Sequence, residues 1–85
     1  MNSFEIASKM VDILSKLSGT DNIENHHKLQ EDLGLDSLGL VSLLVSIEEE
    51  FDITLDASDM NPFDLVYVSD AINLVEKYIS PSDKT

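Results

Sequence analysis

Three stretches of the chain repeat apolar residues with a helical period, and the segments between them do not. In the first, Phe4, Ile6, Ala7, Met10, Val11, Ile13, Leu14 and Leu17 fill one half of a helical wheel, against Glu5, Ser8, Lys9, Asp12, Ser15 and Lys16 on the other. Asn2 followed by Glu5 has the form of a capping box, and Gly19 marks a stop. Its Met and Phe positions read as core and not as a ligand pocket. The second stretch runs from Ser37 to Phe51. At about 100° per residue, Leu40, Leu43, Leu44, Ile47 and Phe51 share a side wide enough for a core. Leu38, Val41 and Val45 fall outside it on a narrower second stripe, while Gly39, Ser42, Ser46, Glu49 and Glu50 fill most of the remainder. The last helix is predicted over about Val68–Ile79, with Val68, Ala71, Ile72, Leu74, Val75, Tyr78 and Ile79 in one stripe. Its start is poorly marked, and Asp64 offers an earlier cap than Tyr67.

The connection from Ser18 to Asp36 is long for a small domain. Leu29, Leu33 and Leu35 supply apolar anchors along it, and Leu29 to Leu33 suits a short helical turn. After Phe51, Asp56 caps a short helix that Asn61-Pro62 stops. No strand alternation, internal repeat or linker interrupts this pattern. The expected fold is all-α, a small four-helix bundle of three long helices and one short one. Residues 1–79 form the domain, and Ser80 to Thr85 read as a flexible tail.

Eighty-five residues suffice for one core and not for two. The net charge of −12 changes the picture most: 17 acids face five lysines, and no basic residue stands between Lys28 and Lys77. Nucleic acid and anionic membranes are repelled by such a chain, whereas basic protein surfaces are attracted. No stretch is long enough to span a bilayer, and Met1-Asn2-Ser3-Phe4-Glu5 lacks the basic start of a secretory signal. The absence of cysteine removes disulfides and thiol chemistry and fits a cytoplasmic location. His26-His27 are adjacent, with no cysteine or third histidine to complete a metal site, so they read as exposed loop residues. The acids after Phe51 lack the spacing of a calcium loop. No metal site is expected.

Candidate chemistry gathers where the second helix opens, at Leu33-Gly34-Leu35-Asp36-Ser37-Leu38. Asp36 and Ser37 are both favoured N-caps. Unpaired N–H groups and a positive dipole end stabilise a phosphate there. Gly34 admits a left-handed turn without side-chain bulk beside the serine. A nucleophilic role for Ser37 has no partner in the sequence, since the only histidines are His26 and His27. No catalytic residue is assigned.

That motif, followed by a helix ending Ile47-Glu48-Glu49-Glu50-Phe51-Asp52-Ile53, resembles the attachment region of acyl carrier proteins. The resemblance spans roughly Phe4 to Ile79 and is densest from Leu29 to Ile53. It implies that Ser37 carries 4'-phosphopantetheine, donated by coenzyme A through a phosphopantetheinyl transferase, with acyl groups held on the arm as thioesters. Asp36 and Leu38 flank the attachment point, and Asp36 would help hold the metal or orient the hydroxyl during transfer. The family docks its acyl-transferring and acyl-modifying partners, which bear basic patches, on this helix. Leu38, Val41, Val45, Glu48 and Glu49 are the residues here that suit the task. The resemblance further implies a monomeric carrier that is a substrate and not an enzyme. Asp36 before the serine is more like an acyl carrier than a peptidyl carrier. Gly39 and Ser42 stand where fatty-acid carriers usually have acids, which points toward a specialised pathway as much as a housekeeping one. An aminoacyl or peptidyl carrier, and a small acidic interaction domain without a prosthetic group, remain as alternatives.

Overall fold

In the computed structural model, which describes residues 2–79, three α-helices form: α1 (Ser3–Ser18), α2 (Ser37–Phe51) and α3 (Val68–Tyr78). The expected tail, residues 80–85, lies outside the described residues. α1 begins with the expected box: Glu5 N–H donates to Asn2 Oδ1 (2.8 Å) and Asn2 N–H to Glu5 Oε1 (3.0 Å). It ends at Gly19, whose φ of 80° reverses the chain. α1 packs against both α2 and α3. Ile6, Met10, Ile13 and Leu14 from α1 meet Leu40, Leu43, Leu44, Ile47 and Phe51 from α2 and Val68, Ala71, Ile72 and Val75 from α3 in one core. Phe4 departs from its predicted place, standing 79% exposed. In the first turn of α1 it sits on the wheel's apolar half but stays largely in solvent.

Leu29, Leu33 and Leu35 all enter the core, so the long first connection is anchored to the bundle at three points. Its turn at residues 29–32 is drawn tight by Asp32 and Leu33 N–H groups donating to the Lys28 carbonyl (2.9 and 3.1 Å). The same connection also starts α3. Val68 N–H donates to the His27 carbonyl (2.9 Å) and Ser69 N–H to that of Asn25 (3.1 Å), while Leu29 N–H donates to Val66 (2.8 Å). An isolated antiparallel bridge joins Lys28 and Tyr67. Tyr67 occupies the cap position without a capping side chain, and the predicted alternative, Asp64, does not cap α3. Asp70 reaches back instead, accepting from Tyr67 N–H (2.9 Å) and Val66 N–H (3.2 Å).

The short fourth helix does not form as an α-helix. Two 3-10 turns, Ala57–Asp59 and Pro62–Asp64, take its place. Asp56 stands at the cap position of the first but makes no capping bond with its side chain. Asn61-Pro62, expected to stop a helix, opens the second turn: Asn61 Oδ1 accepts from Phe63 N–H (3.0 Å), and proline's fixed φ suits the first turn. This second turn rests on α2.

Candidate attachment site at the start of α2

The cap of α2 is Asp36, whose Oδ1 accepts from Gly39 N–H at 2.8 Å. Ser37 is the first residue of the helix proper, with its side chain exposed. Of the two cap candidates, one closes the helix and the other is released from that work. Gly34 turns the chain toward Asp36 at a φ of 75°, where a residue with a Cβ is strained. Gly39 permits a close approach: a Cβ there would lie 3.3 Å from Leu35 Cβ and 3.4 Å from Asp36 Oδ1. A side chain at 39 would thus press on the buried Leu35 anchor and come into ordinary contact with the capping carboxylate. The first turn of α2 holds no acidic residue, so the positive helix end is not cancelled by one inside the helix.

The two stripes of α2 separate as its wheel indicates. Every core-side residue is buried, whereas Leu38 is 75% exposed and Val41 and Val45 are each 44% exposed. Glu49 is exposed beside them. Glu48 differs: it is half-buried, and its Oε2 accepts from Leu55 N–H at 2.8 Å, beyond the end of the helix. One carboxylate oxygen of Glu48 therefore holds the chain after α2. Phe63 and Val66, not singled out in the sequence, add exposed apolar surface on the segment after α2. The signal for Phe63 was its place between Pro62 and Asp64, with no helical period to bury it.

His26 and His27 stand in the first connection, their rings 4.8 Å apart at centroid. His27 Nδ1 accepts from Glu24 N–H (3.1 Å), closing a local turn. Among the described residues, no three His, Cys, Asp or Glu side chains converge to hold a metal ion. No helix among them is long and apolar enough to cross a membrane. An exposed hydroxyl at a helix N-terminus, with the capping work done by its neighbour, fits a phosphodiester-linked group in both charge and access.

Residues 8–75 match a family model described as a phosphopantetheine attachment site. An acyl carrier protein of Desulforapulum autotrophicum is 42% identical over 67 residues, covering 76% of this chain and 84% of that one. One from Thermotoga maritima is 37% identical over 75 residues, covering 86% and 90%. A third, from Campylobacter lari, is 39% identical over 56 residues, covering 66% and 70%. With the match running through all three helices and most of each relative, this chain belongs to the acyl carrier protein family: a carrier of covalent 4'-phosphopantetheine, and not an enzyme.

Proposed function

We propose that Ser37 is the attachment residue, and that the chain presents acyl groups to enzymes of a fatty-acid, polyketide or related specialised pathway in the cytoplasm. The observation that carries this reading is the division of labour at the start of α2: Asp36 caps, and the Ser37 hydroxyl stays exposed. The arm, when attached, supplies a thiol that holds the acyl group as a thioester. The protein's own part is electrostatic and positional. The N–H groups of the first turn face the phosphodiester charge, and a buried, capped helix holds the attachment point still. A tethered group also gains effective concentration at any enzyme on which the carrier is docked.

Leu38, Val41, Val45 and Glu49 form the face we assign to partner enzymes, with Glu48 contributing only its free oxygen. The transferase and acyl-handling enzymes would meet apolar surface near Ser37 and acidic surface toward the other end of α2. Gly39 and Ser42 leave the first turns bare of acids, which points toward a specialised pathway as much as a housekeeping one.

Intact mass spectrometry, with coenzyme A and a phosphopantetheinyl transferase, tests the attachment. The native chain gains one phosphopantetheine mass, and Ser37→Ala gains none. A variant still modified at another serine would overturn the assignment.

A further inference from the structure

Phe63 and Val66 lie outside both the core and the stripe of α2, 64% and 45% exposed. Each is fixed in place through its backbone. Asn61 Oδ1 accepts from Phe63 N–H, which shapes the turn Pro62–Asp64, and that turn rests on α2. The Val66 carbonyl accepts from Leu29 N–H at 2.8 Å, and the Leu29 carbonyl accepts from Leu35 N–H at 3.0 Å. Two hydrogen bonds thus tie Val66 to a residue only two positions before Ser37. Leu38, directly after Ser37, is 75% exposed. Charge is scarce around all three. No residue from Ser37 to Ile47 is charged, and Asp64 is the one charge from Met60 to Ser69, in a chain of net charge −12.

We propose that Leu38, Phe63 and Val66 form an outer shelf, on which a short, uncharged acyl group carried by the chain's own arm rests between enzymes. The shelf rests on the reading of Ser37 as the attachment residue. A group tethered there reaches it without the translational cost that a free ligand bears, so a small apolar contact suffices to hold it. Covering these side chains removes apolar surface of both cargo and protein from water. A cargo ending in a carboxylate would lose hydration on the same surface and gain no partner. The other resting place, between α2 and α3, is already filled: Leu43, Leu44, Ile47, Ala71 and Val75 are at most 1% exposed. An acyl chain entering there would have to displace packed side chains. The shelf is open, and its backbone is already held.

The test is NMR of the full chain, loaded from hexanoyl-coenzyme A by a phosphopantetheinyl transferase, with loading checked by intact mass. Nuclear Overhauser contacts should run from the hexanoyl protons to the Phe63 ring and to the Leu38 and Val66 methyls. Signals of Leu44, Ile47 and Val75 should stay where they are in the unloaded chain. Phe63→Ala, at a position mostly in solvent, should keep its fold and lose shelter for the thioester. Hydroxylamine then cleaves that thioester roughly twofold to fivefold faster than in the native chain. Contacts to Leu44 or Val75 would overturn the proposal by placing the cargo inside the bundle. A loaded chain with contacts to neither set would overturn it too, leaving Phe63 and Val66 to a partner enzyme while attachment at Ser37 stands. A chain that gains no hexanoyl-phosphopantetheine mass would overturn the attachment reading, and the shelf with it.

Discussion

Two neighbouring oxygens at the start of α2 have different work. The Asp36 carboxylate turns back to Gly39 N–H and the Ser37 hydroxyl turns out. Asp36→Ala should therefore cost about 1 kcal/mol of stability in denaturant melts, the usual loss for a side-chain cap. An unchanged midpoint would show that the cap bond is dispensable. The sequence shows that a cap is present but not which residue supplies it, because aspartate and serine are both good caps. Only the backbone distinguishes the residue before the helix from its first member. Glu48 was hidden for a similar reason. Its partner, Leu55 N–H, lies seven residues on and past the end of the helix, where no periodic pattern connects the two.

At the scale of the element, α2 sets a buried side against an exposed stripe, and two substitutions tell them apart. Leu44 is almost fully buried, so Leu44→Ala should cost about 2–5 kcal/mol in thermal or denaturant melts. Val41→Asp, on the stripe, should leave the melting temperature nearly unchanged and impair transferase-dependent loading. A Val41→Asp protein that unfolds as readily as Leu44→Ala would make the stripe part of the core. The α2 core was legible because five apolar residues on one side leave a neighbouring helix only one way to cover them. Phe4 was misread because a wheel records direction and says nothing of whether a neighbour extends that far. The segment after α2 was read only coarsely, because a cap residue and a later proline fit either one short helix or two 3-10 turns. The start of α3 could not be read locally, since its first donors are satisfied by carbonyls of residues 25 and 27.

Across the whole molecule, the charge of −12 produces a field that any partner meets before it makes contact. Screening length falls from about 30 Å at 0.01 M salt to about 8 Å at 0.15 M, so association with a basic transferase should slow as salt rises. Stopped-flow measurement of the association rate checks this, with Glu49→Lys slower than the native chain at low salt and converging on it at high salt. A rate indifferent to salt would leave the acidic surface as an aid to solubility alone.

Those loop carbonyls at the start of α3 give the chain a dependence on order in time. A helix with its own side-chain cap can flicker into being wherever its residues happen to be. α3 lacks that independence, because the groups that receive its first N–H donors arrive from a segment about forty residues earlier. Its opening turn cannot settle until the first connection has laid Leu29 into the core and brought those carbonyls within reach. A chain emerging from its N-terminus carries those carbonyls before α3 appears. For the same chain cut between the two segments, the last helix would be left to begin in water.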